Sequence, residues 1–266
     1  MHQTMQEQLA AKAPAHPDYS PGLEGVIAGE SAICQVDEGE AGLRYRGYAI
    51  GDLAGHSSFE EVAYLLLFGH LPTGTELEEF SDLLRRNRPL PEQVQNFVTS
   101  LRPGMHPMDV LRSGISLLGL NDPDAQDGSR AATLRKSVRL LAQIPQLIAD
   151  SYQVMAGRHP AKPDTEGSFA ENLLGLVAGR REGDVGAAMA QALNVSLILY
   201  AEHEFNASTF AARVTASTLT DLHGAITAAV ATLKGPLHGG ANEAVAAMLL
   251  EIGRPEHVEF WLRETL

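Results

Sequence analysis

Apolar residues recur at helical spacing through most of the chain beyond position 57. At 57–68, S-S-F-E-E-V-A-Y-L-L-L-F puts Ser58 ahead of a broad apolar face, with Glu61 three residues on, the pattern of a capping box. Gly69 and Pro72 end that helix. Positions 75–87 repeat the scheme, with Leu77, Phe80, Leu83 and Leu84 on one side. Pro91, placed for a first turn, opens a helix to 101. The stretch 108–120 is apolar apart from Asp109, Arg112 and Ser113 and carries Gly114 and Gly119 inside. Each such glycine costs about 1 kcal/mol of helix stability, so close approach of another helix is the reason for it. A long helix is expected at 131–156, kinked or broken at Pro145. Further helices are expected at 169–178, 185–202, 211–233, 241–252 and 257–266, with loops at 121–128, 157–168 and 179–183.

The start of the chain reads differently. Residues 1–20 are polar and read as a flexible arm. In 22–50, short apolar groups lie between glycines, and 37–39 is a turn signal, so short strands in a small hairpin are expected. The fold class is therefore all-α, a multi-helical globule with a small N-terminal β-hairpin.

Composition narrows this picture. Aromatics are only 6% of the 266 residues, which favours helix over sheet. A net charge of −13 argues against a nucleic-acid partner. The single cysteine, Cys34, excludes an internal disulfide and reads as a small apolar filler. No apolar run reaches the ~18 residues of a membrane span. Residues 1–20 lack the basic and apolar blocks of a signal peptide, so the cytoplasm is the expected location.

Candidate chemistry gathers in 201–243. A-E-H-E-F-N-A-S-T-F (201–210) and L-K-G-P-L-H-G-G-A-N-E (233–243) each set one histidine among small and polar residues. The segment 211–233 between them reads as one packed helix carrying one histidine site towards the other. Gly235, Gly239 and Gly240 around His238 let backbone approach a ligand. The following helix would offer free N–H groups and a positive dipole end to an anion. A neutral His238 there could donate a hydrogen bond to a developing enolate, as a histidine does in triosephosphate isomerase. The alternative is a glycine-rich helix–helix turn with an incidental histidine. His203 and Asn206, three apart, share a face if the backbone is helical and could donate to a carboxylate. The alternative there is a histidine that favours a helix C-terminus for dipole reasons. Ala207 stands where a zinc motif H-E-x-x-H needs its second histidine, so no metal is expected. Arg44 and Arg46 read as a solvated strand edge, the alternative being a phosphate contact, and His56, His70, His106, His159 and His223 as surface or loop residues.

Five motifs resemble the citrate synthase family, in order and at similar separations. They are Y-R-G-Y (45–48), F-E-E-V-A-Y-L-L-L-F-G-H-L-P (59–72), H-P-M-D-V-L-R (106–112), and the two histidine motifs at 201–210 and 235–243. The sequence is equally similar to 2-methylcitrate synthases. The resemblance implies a homodimer of helical subunits, each with a large domain, here 21–238, and a small one, of which 239–266 would be the start. It implies condensation of acetyl-CoA with oxaloacetate and thioester hydrolysis to citrate and CoA, a step of the tricarboxylic acid cycle. Propionyl-CoA would replace acetyl-CoA in a 2-methylcitrate synthase. His238 would then be catalytic, steadying the enol(ate). His203 with Asn206 would bind oxaloacetate, and Gly239 and Gly240 would supply substrate-loop backbone. No cofactor is implied, the CoA thioester being a substrate. Family chains run on well beyond the position of Leu266, through a G-F-G-H-R-like segment with a second catalytic histidine and an aspartate base. No carboxylate here matches that base, and Glu243 reads as a capping or pairing residue. The chain is therefore expected to be C-terminally truncated and inactive alone, the alternative being a non-catalytic dimerising remnant.

Overall fold

A computed structural model of the chain describes residues 25, 27–36, 39, 42–160, 166–178 and 186–265. The arm expected at 1–20, most of the turn at 37–39 and the loop at 179–183 lie outside the described residues. The chain divides into two units, Met1–Ser31 and Ala32–Leu266. In the first, Gly25 lies in a turn and 27–31 have no regular structure.

The second unit begins with a three-stranded antiparallel sheet, β1 (Cys34–Val36), β2 (Leu43–Tyr45) and β3 (Tyr48–Ala49), in the order β1-β2-β3. Cys34 faces Tyr45 across the first pair, and Arg44 faces Ala49 across the second. Between β2 and β3, Arg46 (φ 50) and Gly47 (φ 93) make the two-residue turn, both with the positive φ that a tight hairpin demands. Arg46 holds its position by donating to Ala32 O at 3.3 Å and Leu66 O at 3.2 Å. It is tied into the fold, where a merely solvated edge was expected.

Among the described residues twelve α-helices follow. They are α1 (Ile50–His56), α2 (Phe59–Phe68), α3 (Gly74–Asn87), α4 (Glu92–Thr99), α5 (Pro107–Asn121) and α6 (Arg130–Met155). Then come α7 (Phe169–Ala178), α8 (Ala187–Leu199), α9 (Ala207–Ser217), α10 (Leu222–Leu233), α11 (Gly240–Ile252) and α12 (Val258–Thr265). The all-α reading with a small N-terminal sheet therefore holds. Ser58 and Glu61 form the expected capping box, Thr73 and Glu76 form a second, and Gly69 ends α2 in the left-handed conformation. On α3, Phe80 and Leu84 are buried while Leu83 is exposed, so the apolar face is narrower than the sequence suggested.

Helix α6 runs unbroken through Pro145, so the break allowed for there does not occur. It is held from both sides of the proline, since Val138, Leu140, Ala142, Leu147 and Ala149 are all buried, and that burial outweighs the lost backbone bond. The single helix expected over 211–233 is instead two, α9 and α10. Leu219, at φ 65, reverses the chain, and the Asp221 carboxylate caps α10 by accepting from Gly224 N–H at 2.9 Å.

Helix α6 contributes to both apolar cores. One core joins Tyr45 of the sheet to Leu53, Val62, Leu65, Val138 and Ile198; the other joins Val94, Val110, Ile115, Leu118, Leu147 and Val230. The helical glycines sit where helices meet. A Cβ on Gly114 would lie 2.5 Å from Leu147 Cδ2, and one on Gly119 would lie 2.8 Å from His223 Cβ. His223 is thus no surface residue: it is 1% exposed, wedged against α5 with its Nε2 3.5 Å from the Asp122 carboxylate. Burial lowers its pKa, against the raising effect of Asp122 and Asp221. Asp122 in turn accepts from Arg139, which also pairs with Asp124.

Between α5, α6 and α7 lies an apolar cleft of about 270 Å³, lined among others by Met108, Leu111, Leu147 and Tyr152. Ser151 also lines it, and its buried hydroxyl has no partner among the described residues. Among the described residues no helix is long and apolar enough to cross a membrane.

Candidate functional site

The site grows from the ends of three helices. Helix α8 ends at Leu199, and 200–206 form a loop rather than a helix. The last carbonyls of a helix need partners. Tyr45, fully buried on β2, supplies one: its hydroxyl donates to Ile198 O at 2.9 Å, with Leu199 O at 3.3 Å, and accepts from Glu202 N–H at 3.2 Å. Burial raises the Tyr45 pKa, so the phenol stays a neutral donor and acceptor. Glu204 then turns the chain at φ 72. Its N–H donates to Glu202 Oε1 at 2.7 Å, and its own carboxylate accepts from Val36 N–H at 3.0 Å.

This turn delivers His203 to an exposed position and Asn206 to the N-cap of α9. The Asn206 side-chain oxygen accepts from Thr209 N–H at 2.9 Å, which leaves its amide nitrogen to meet His203 Nε2 at 3.2 Å. An N–H donor there leaves the proton of a neutral imidazole on Nδ1. The two residues expected to act together are indeed in contact, though through a cap geometry and not a shared helical face.

Two residues into α9, the Ser208 hydroxyl lies 2.8 Å from His238 Nε2. His238 arrives from the other direction. Helix α10 ends at Leu233, and Lys234 is pinned to Asp109 on α5 at 2.6 Å. That pairing holds the Asp109 carboxyl below the usual range. Next comes a tight turn: His238 N–H donates to Gly235 O at 3.0 Å, Gly239 N–H to Leu233 O at 3.0 Å and Gly240 N–H to Gly235 O at 3.4 Å. A side chain at Gly239 would collide with the Leu233 carbonyl oxygen. Gly239 therefore serves close backbone packing, and of the N–H groups at the start of the following helix, that of Gly240 closes the turn. The side chain of Glu243 lies outside the described residues.

The first turn of α9 thus holds both imidazoles, His203 through Asn206 and His238 through Ser208. Sequence reasoning does not single out Ser208 or Tyr45. A signal for Ser208 exists, a small hydroxyl two residues past an N-capping asparagine. None exists for Tyr45, whose partners lie far along the chain. Arg213 on α9 stacks over the Phe205 ring at 4.5 Å and brings one cation to this end of the helix. Among the described residues no three potential metal ligands come together.

The chain is similar to known proteins. Residues 22–266 match the family model "Citrate synthase, C-terminal domain". The 2-methylcitrate synthase of Mycobacterium tuberculosis is 43% identical over 250 residues, 94% of this chain and 62% of the relative. Citrate synthase 2 of Bacillus subtilis is 42% identical over 246 residues, 92% of this chain and 65% of the relative. The ternary complex of Thermoplasma acidophilum citrate synthase with carboxymethyl coenzyme A and oxaloacetate superposes with a TM-score of 0.83 at 31% identity, covering 94% of this chain and 65% of that one. The chain therefore spans less than two thirds of the length of these relatives.

Proposed function

The chain belongs to the citrate synthase family, and on that premise we propose that the helix end holding His203 and His238 is part of a site for Claisen-type condensation of a short acyl-CoA with oxaloacetate. The observation that carries this reading is the pair of imidazoles tethered to one helix start, at 3.2 Å through Asn206 and 2.8 Å through Ser208. His203 and Asn206 hold oxaloacetate. His203, exposed, has its Nδ1 available to donate to a carboxylate once Asn206 has engaged Nε2. His238 faces the acyl group. Placed by the 234–239 turn, it steadies the oxygen of the enol that forms when the acyl carbon loses its proton. Ser208 orients that ring. Gly239 and Gly240 keep the loop slim enough for substrate to reach it.

Condensation also needs a base to take the proton, and no carboxylate in these 266 residues is assigned that task. The chain alone accordingly binds oxaloacetate without appreciable turnover, since base catalysis contributes about 100- to 10,000-fold. The acyl group is acetyl in the first instance, and citrate the product. The near-equal identity to a 2-methylcitrate synthase favours propionyl as the second reading. Two copies pair, in keeping with the exposed apolar side chains Ile148 and Tyr152 beside the cleft on α6.

Calorimetric titration with oxaloacetate, wild type against His203→Ala, tests the binding assignment. Loss of binding in the variant supports it, and equal binding removes His203 from the site. Release of free CoA from acetyl-CoA and from propionyl-CoA, measured on the 266-residue chain, tests the rest: rapid turnover would show that the base lies within it.

A further inference from the structure

The sheet reaches the proposed oxaloacetate loop at two points. Tyr45 on β2 is fully buried, yet among the described residues its hydroxyl bonds only the backbone of 198–202, at the end of α8 and the start of the His203 loop. Val36 on β1 donates to the carboxylate of Glu204, one residue beyond His203. Glu204 is a non-glycine residue in the left-handed region, at φ 72. Such a conformation persists only where surrounding contacts over-determine it. Here one contact precedes His203, at Glu202 N–H, and another follows it, at the Glu204 side chain.

We propose that Tyr45 is a positioning residue for oxaloacetate, its hydroxyl fixing the 198–202 backbone so that His203 meets Asn206. This rests on the reading that His203 holds oxaloacetate. The residue packs a ring that phenylalanine would replace without loss of volume, so the hydroxyl is the part that matters. Without it, the amide of Glu202 loses its acceptor and the Leu199 carbonyl loses the hydroxyl, while the carbonyl of the fully buried Ile198 keeps the Ala201 N–H at 3.3 Å. The loop then relaxes away from its turn, and the His203–Asn206 contact is kept only part of the time. The sheet is in this way a bracket for the site and more than a decoration at the edge of a helical fold.

The test is Tyr45→Phe, with Glu204→Ala as a second variant that cuts the other tether without touching the core. Oxaloacetate affinity is read by calorimetry well below the unfolding transition, and hydrogen exchange of the 202–206 amides is read without ligand. The expected result is about tenfold weaker binding, the size of effect one unpaired buried group implies, together with faster exchange at Glu202. The protection of the 235–240 turn should stay unchanged. A purely structural tyrosine would lower the urea midpoint and leave affinity and local exchange as they were, and that result would overturn the proposal. Should the wild type itself fail to bind oxaloacetate, the functional reading falls, and exchange decides alone: unchanged exchange at Glu202 in Tyr45→Phe would refute the bracket as well.

Discussion

Gly114 and Gly119 lie on the same helix, and the structure makes opposite forecasts for alanine at each. Alanine in place of a mid-helix glycine favours the helix by about 1 kcal/mol at either site. What differs is the neighbour. At Gly119 the new Cβ would sit 2.8 Å from His223 Cβ and 3.1 Å from its Cγ, where carbon atoms prefer about 3.5–4.0 Å. His223 Cβ is fixed to the α10 backbone and its ring is buried against Asp122. Relief therefore requires α10 to move off α5, an overpacking cost of about 1–3 kcal/mol. The net expectation is a loss of about 1 kcal/mol. At Gly114 the clash is shorter, 2.5 Å to Leu147 Cδ2, with 2.8 Å to Cδ1 and 3.2 Å to Cγ, but all three atoms lie beyond Cβ on a side chain that lines the apolar cleft of about 270 Å³. Leu147 can turn into that space, so Gly114→Ala should stay within about 0.5 kcal/mol of the wild type, the helix gain offsetting the displacement. Urea denaturation of both variants, compared at unchanged m, reads the difference directly. Finding Gly119→Ala as stable as Gly114→Ala, or more so, would show that shortest distance, and not the mobility of the neighbour, governs these contacts.

Other consequences follow from single groups. Burial pushes the Asp150 carboxyl up to about 6, opposed only by the Gln146 hydrogen bond. An acid whose folded pKa is raised costs stability as it ionises, so the cost grows as pH rises from about 4 to 6 and is complete above that, at most about 3 kcal/mol. Asp150→Asn should therefore raise the urea midpoint at about pH 7.5 and leave it unchanged at about pH 3.5; a gain of equal size at both would contradict the assignment. Gly239→Ala should displace the turn that carries His238 and break the Gly239-to-Leu233 hydrogen bond, costing about 2 kcal/mol or more; a wild-type amide spectrum over 235–240 would disprove this. Ser58→Ala removes the cap of α2 and should cost about 1 kcal/mol, checked by thermal unfolding, while Ser57→Ala beside it should be near neutral.

Where the chain announces its structure, the signal is local. Ser58 with Glu61 marks a helix start because both partners of the box lie within one turn of each other. The helix at 169–178 coincides with its apolar run, and Gly119 marks a helix contact because glycine is costly there without one. The break at 218–221 is hidden because it contains neither glycine nor proline, yet Asp221 carries the cap that opens α10. His223 passes for a surface residue because its environment is supplied by Asp122 and Gly119, far away in sequence. The candidate site divides the same way. His203 and His238 stand out by their small neighbours, whereas Ser208, Tyr45 and Lys234 matter through pairings across the fold that no spacing encodes.

The shared anchorage at the start of α9 has an implication for variation in this site. Asn206 and Ser208 are two residues apart on one rigid turn, and each carries a different histidine. A rotation of that turn that improved the fit of one imidazole to its ligand would misplace the other. Substitutions tuned on the His203 side and on the His238 side should therefore fail to add, with coupling of about 0.5–3 kcal/mol in a double-mutant cycle. Under the proposed function, a change in the acyl group would be reached more readily through residues that touch neither Asn206 nor Ser208, because the turn joining the two histidines behaves as a single adjustable part.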